Sequence, residues 1–175
     1  MNNLTSRKDF LKKSLLLTAG ISITQNLAFS QAKVVAEIID PKIVNEFVNV
    51  AHSDFGKVKE MVKEKPLLLN SAWDWGDGDF ETALGAAAHM GLKEMANFLI
   101  SIGARTDIFV LTMLGKTEIV KAMLKTYPSL LNSEGPHGFT LLHHAEKGGK
   151  DAEKLLKHLQ KLGLKETFIK LKKGA

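Results

Sequence analysis

Two stretches of this chain hold side chains whose types and spacing can do chemistry. The first, Ala72 to Glu81, reads AWDWGDGDFE and sets Trp73, Trp75 and Phe80 beside four acids, Asp74, Asp77, Asp79 and Glu81. Aromatic anchors dominate the energetics of protein interfaces, and large aromatic surface is expensive to leave in water without a use. Aromatics flanking an acidic tip therefore read as a recognition loop, with Asp77-Gly78 as its tight turn. A rival reading folds one or both tryptophans back as a lid over neighbouring helices. A third is calcium, since Asp77, Asp79 and Glu81 can share a strand face, but the positions after Gly78 lack the downstream bidentate Glu of an EF-hand.

The second stretch, Asn132 to His144, reads NSEGPHGFTLLHH. His137, His143 and His144 with Glu146 offer imidazole and carboxylate, both zinc ligands, at a spacing that matches no zinc pattern. Gly135-Pro136-His137-Gly138 is sufficient turn chemistry by itself. His52, His89 and His158 stand alone in sequence and read as ordinary. No metal ligand set and no cofactor are expected.

Catalysis has little to work with. Cysteine is absent, which removes thiol nucleophiles, thiolate metal sites, disulfides and a lipoprotein anchor together. There is no G-x-S-x-G elbow, no phosphate-binding glycine loop and no H-E-x-x-H pair. The chain reads as a non-enzyme.

The elements that must position these loops follow from composition and periodicity. At 175 residues and 45% hydrophobic content, the chain has enough apolar surface for one ordinary core. Residues 1–32 read as a signal peptide: Arg7, Lys8, Lys12 and Lys13 precede the mildly apolar run Ser14 to Ile23, and Ser30-Gln31-Ala32 fits an A-x-A-like cleavage site. That run is too short and too polar for a comfortable membrane span, so release rather than anchoring is expected. Ser6-Arg7-Lys8-Asp9-Phe10-Leu11-Lys12 resembles the twin-arginine export motif S-R-R-x-F-L-K, with Lys8 in place of the second Arg. The resemblance implies folding in a bacterial cytoplasm before transport, and a periplasmic or secreted protein.

Without residues 1–32 the formal charge of +5 falls to +2, and what remains is uneven. Residues 33–146 carry 11 Lys and Arg against 15 Asp and Glu, whereas residues 147–175 carry nine Lys against three acids. Nucleic acid is not an expected partner, because Phe168 is the only aromatic among those lysines. They read as a solvated face.

Residues 82 to 104, TALGAAAHMGLKEMANFLISIGA, predict helix, turn, helix. Ala83, Ala86, Ala87 and Ala88 crowd a short first helix, Gly91 interrupts, and Met95, Phe98, Leu99 and Ile102 recur at helical spacing until Gly103. Small side chains on the first helix allow a neighbouring pair to approach closely. The stretch resembles the ankyrin repeat, T-P-L-H-x-A-A-x-x-G followed by a second helix and G-A, with matches at Thr82, Leu84, Ala87, Ala88, Gly91, Gly103 and Ala104. Ala83 and Gly85 stand where Pro and His are expected.

One such unit cannot bury its own apolar face, so companions are required. Val58 to Pro66 (VKEMVKEKP) and Ile119 to Pro128 (IVKAMLKTYP) align on their prolines, 62 positions apart, close to twice the ankyrin period of about 33. Ile43, Val44, Phe47 and Val48 mark a helix before the first of these. Ile108 to Leu114 marks another, and the step of 24 from Gly91 to Gly115 leaves its connecting finger short or missing. Gly138-Phe139-Thr140-Leu141-Leu142-His143-His144-Ala145 resembles G-x-T-P-L-H-x-A, in which the His at position 143 bonds to backbone. Leu155, Leu156, Leu159 and Leu162 form the stripe of a closing helix.

The resemblance implies an all-α fold, an ankyrin-repeat solenoid of about four stacked helix-turn-helix units over residues 42–164, with a β-hairpin-like finger near 73–81. Residues 33–41 would form a mature N-terminal segment and residues 165–175 a basic tail. It also implies a non-catalytic protein-protein interaction module, an adaptor exported to the bacterial periplasm with an unidentified protein partner. A periplasmic module that binds a small ligand or a metal is the alternative. The candidate partner-binding residues are Trp73, Trp75, Asp77, Asp79 and Phe80, joined by His137, because loops between repeats emerge on one side of a stack.

Overall fold

A computed structural model describes residues 38–171; the signal-peptide reading of residues 1–32 lies outside them. The described chain is mostly helical, with one small two-stranded sheet. The helices come in four consecutive pairs: α1 (Pro41–Val50) with α2 (Phe55–Glu64), α3 (Ala83–Met90) with α4 (Lys93–Ser101), α5 (Ile108–Met113) with α6 (Thr117–Thr126), and α7 (Leu141–Gly148) with α8 (Glu153–Lys161).

Local sequence explains where these helices start. Asp40, Asp54, Thr82, Asp107 and Thr140 each turn a side-chain oxygen toward a backbone N–H of the first turn. Those amides have no partner within their own helix, so each cap satisfies a donor that would otherwise be lost. The first helix of the third pair ends at Gly115, whose φ of +66° suits glycine. A Cβ there would lie 2.1 Å from the Asp151 carbonyl oxygen, so this glycine also permits close approach of the fourth pair.

Packing follows the order of the pairs. The first helices lie side by side, α1 against α3, α3 against α5, and α5 against α7, with α3 also touching α7. Helix α3 is central because it is small on every side: Ala83, Gly85, Ala86, Ala87 and Ala88 are all buried. One apolar core gathers Phe47, Val48, Val58, Leu68, Leu84, Met95, Leu99 and Met113 around it. A second, toward the C-terminus, is built from Ile108, Val120, Leu141, Leu142, Leu155 and Leu159.

The finger is a β-hairpin of β1 (Ala72–Asp74) and β2 (Phe80–Thr82), paired antiparallel with Ala72 opposite Thr82, Trp73 opposite Glu81 and Asp74 opposite Phe80. Its tip turns through Gly76, Asp77 and Gly78, all at positive φ. No strand occupies the connection from α4 to α5, in keeping with the short step between Gly91 and Gly115.

The lysines from Lys147 to Lys170 are exposed, as a solvated face requires, while the backbone of the tail is held against the turn before α7. The Thr140 N–H donates to the Thr167 carbonyl (3.1 Å), the Thr140 hydroxyl to Glu166 O (2.7 Å), and the Ile169 N–H to Gly138 O (2.9 Å). Residues 166–169 are thus strapped along the turn that carries His137. The reason is backbone satisfaction, since these bonds use groups of residues 138–140 before and at the start of α7.

Candidate functional site

Strand alternation divides the finger into two faces. In β2, Phe80 points outward and is 63% exposed, whereas the next residue, Glu81, is 1% exposed. Glu81 therefore carries its carboxylate beneath the hairpin, and this position organises what surrounds it.

Three imidazoles converge on that carboxylate from separate elements. His52 lies just beyond the C-terminus of α1, with Nδ1 3.1 Å from the carbonyl oxygens of both Val48 and Asn49. The last carbonyls of a helix lack partners within it, so the ring satisfies them. Its other nitrogen, Nε2, lies 3.4 Å from Glu81 Oε2. His89, in the last turn of α3, places Nε2 2.9 Å from Glu81 Oε1 and 3.1 Å from His52 Nε2. His137 comes from the 3-10 turn Pro136–Gly138, with Nε2 3.4 Å from Glu81 Oε2. Its backbone N–H and its ring Nδ1 each lie 2.8 Å from an oxygen of Asp79, Oδ1 and Oδ2 respectively. Two loops 58 positions apart are fastened through one carboxylate.

Trp75 closes the assembly. Its Nε1–H donates to Glu81 Oε2 at 2.8 Å, and its ring meets His52 edge-on with centroids 6.1 Å apart. The tryptophan is 38% exposed, so it folds back over the imidazoles rather than standing clear of the finger.

Burial by itself would push the Glu81 carboxyl up. The hydrogen bond and charge of His89, then the Trp75 hydrogen bond and the charge of His52, outweigh burial and hold it below the ordinary carboxylate value. His89 Nε2 has one hydrogen for two neighbours, Glu81 Oε1 at 2.9 Å and His52 Nε2 at 3.1 Å, and the buried Oε1 has no other hydrogen-bond donor. The nitrogens of His52, His89 and His137 and a Glu81 oxygen all lie within 4.8 Å of one another. Imidazole and carboxylate so arranged are a donor set for one metal ion.

The residues singled out in sequence divide between roles. Asp79 and His137 are joined, Trp75 caps the cluster, and Phe80 stays outward. Trp73 is half-buried and packs on the first core, while Asp77 sits at the tip with φ +57°. Asp77, Asp79 and Glu81 do not act as one acidic face, since Asp79 is spent on His137 and Glu81 is turned inward. His143 and His144 lie outside the cluster and bond to backbone, His143 Nε2 with His89 O at 2.9 Å and His144 Nδ1 with Thr140 O at 2.8 Å.

Reading His52 and His89 as ordinary is corrected by this geometry. They are remote in sequence, and a signal was nevertheless present: Val50-Ala51-His52 ends the first helix of one pair and Ala87-Ala88-His89 ends the first helix of the next. Equivalent positions on adjacent helices bring the two rings within 4.9 Å, centroid to centroid. No known protein family matches the chain, and no curated protein is similar to it.

Proposed function

We propose that this chain is a non-catalytic, ankyrin-type binding module, exported to the bacterial periplasm, whose working surface combines the finger with the His137 turn. One observation carries this reading: Asp79 accepts two 2.8 Å hydrogen bonds from His137, so loops distant in sequence form one continuous surface with Phe80 on its outer edge. The four helix pairs, with first helices side by side, supply the rigid stack such a surface needs. A fold of this kind supports many roles, so its function lies in the exposed residues rather than in the architecture.

The anchor on this surface is Phe80 rather than Trp75, because Trp75 is committed to Glu81. Replacing Phe80 removes an exposed aromatic side chain and no internal hydrogen bond. Crosslinking and mass spectrometry on native envelope, with the chain lacking residues 1–32 as bait, identifies the partner. Phe80→Ala is expected to weaken its binding by about 2 kcal/mol or more, the hot-spot scale, with the melting temperature unchanged. Equal capture by both baits would remove the finger from the proposed surface.

A further inference from the structure

We propose that His52, Glu81, His89 and His137 together bind one divalent transition-metal ion of the zinc class, through the three imidazole Nε2 atoms and a carboxylate oxygen. The inference stands whether or not the finger has a protein partner, because it rests on the inner face of the hairpin.

The ring tautomers are set by what each second nitrogen faces. Carbonyl oxygens only accept hydrogen bonds, so His52 Nδ1, placed 3.1 Å from two of them, must hold the ring hydrogen. Its Nε2 is then a bare lone pair facing the cluster. The same logic applies to His137, whose Nδ1 lies 2.8 Å from the Asp79 carboxylate, leaving Nε2 bare and 3.4 Å from Glu81 Oε2. Two lone pairs and a buried carboxylate therefore face one another, and one of its oxygens, Oε1, has no neighbour but His89 to satisfy it. His89 Nε2, 3.1 Å from the bare His52 Nε2 and 2.9 Å from Glu81 Oε1, holds the ring hydrogen in the metal-free chain; shifting it to Nδ1 frees a third lone pair, and a cation then takes the place of that hydrogen.

The outer contacts match a metal centre as well. Metal-binding imidazoles give their second nitrogen to a carbonyl or carboxylate, which fixes the ring and raises its basicity. Here Val48 and Asn49 serve His52 in this way, and Asp79 serves His137. Trp75 holds Glu81 Oε2 from the other side.

Donor chemistry selects the ion. Zinc bonds of about 2.0 to 2.2 Å in a tetrahedron place neighbouring donor atoms about 3.3 to 3.6 Å apart. To Glu81 Oε2, His52 Nε2 and His137 Nε2 each lie 3.4 Å away, at that edge, while His89 Nε2 lies 3.1 Å from His52 Nε2 and 2.9 Å from Glu81 Oε1, and the whole donor set falls within 4.8 Å. Three nitrogens and one carboxylate disfavour calcium and magnesium, which take oxygen ligands, and the lack of thiolate disfavours copper(I). Partial exposure of the His52 and His137 side chains, 23% and 29%, leaves the ion a path from solvent.

The competing account places an extra proton on one imidazole, which satisfies the carboxylate with no metal at all. The test uses the full chain, stripped with a chelator and titrated with Zn²⁺ and with Co²⁺. One equivalent per chain is expected, with the intense visible bands of tetrahedral cobalt and a nitrogen/oxygen shell near 2.0 Å by X-ray absorption. Asp79→Asn, which touches no metal, is expected to weaken binding 10- to 100-fold, and His137→Gln and Glu81→Gln at least as much, while His158→Ala leaves it unchanged. Circular dichroism checks that each variant is folded; if Glu81→Gln is not, the wild-type stoichiometry and spectrum with His137→Gln still decide. Absence of stoichiometric binding by the wild-type chain, or undiminished binding by folded His137→Gln, would overturn the proposal in favour of the proton.

Discussion

Replacing Trp75 by Phe separates a finger that only recognises partners from one that is part of the folded core. The substitution keeps an aromatic ring over His52 but deletes the Nε1–H that donates to Glu81 Oε2 at 2.8 Å. Hydrogen bonds to charged groups contribute about 1.5 to 3 kcal/mol, and Glu81 is buried, so its oxygen cannot recover the loss from water. A loss of roughly 2 kcal/mol is expected. Urea unfolding in the presence of a chelator measures it without metal linkage; with a slope near 2 kcal/mol/M, the midpoint should fall by about 1 M at unchanged slope. Repeating the substitution in a Glu81→Gln background isolates the charged bond, and the cost there should drop below about 1 kcal/mol. A loss under about 0.5 kcal/mol in the wild-type background, the range of surface changes, would refute the reasoning.

Two further outcomes follow from burial. Leu99 is fully buried in the first core, so Leu99→Ala should destabilise by about 2 to 5 kcal/mol in the same assay, and a loss below about 0.5 kcal/mol would mean that the stripe on α4 does not pack. Burial pushes the His144 imidazole down to about 4, against an opposing hydrogen bond to Thr140 O. The unfolded ring, near 6.5, binds its proton first as pH falls, so this stability is complete above about pH 6.5 and is lost progressively down to about 4. The loss is on the order of 3 kcal/mol, and His144→Gln should flatten that part of the pH profile measured by thermal melting.

Much of the helical layout was legible because it is periodic and punctuated. Gly91, Gly115 and Gly163 stop helical patterns where the chain turns left-handed, and Thr82 and Thr140 cap the helices that their motifs precede. The hairpin was also legible from Asp77-Gly78 between aromatic residues. Its facing was not, although strict alternation after Asp79 forces Phe80 and Glu81 to opposite sides once a strand is assumed. The cluster lay further out of reach. Glu81 meets His52, His89 and His137 only because α1, α3 and the turn before α7 are brought together by packing, which local patterns do not encode. His143 and His144, the adjacent pair that drew notice in sequence, are held by backbone carbonyls instead.

The union of finger and turn at Asp79 and His137 is tested most directly by a double-mutant cycle in urea with Asp79→Asn, His137→Gln and the two combined. The backbone N–H of residue 137 survives both substitutions, so the cycle isolates the hydrogen bond from the ring to the carboxylate, which should give a coupling free energy of about 1 kcal/mol. Strict additivity, with the double variant losing the sum of the single losses, would contradict a shared surface.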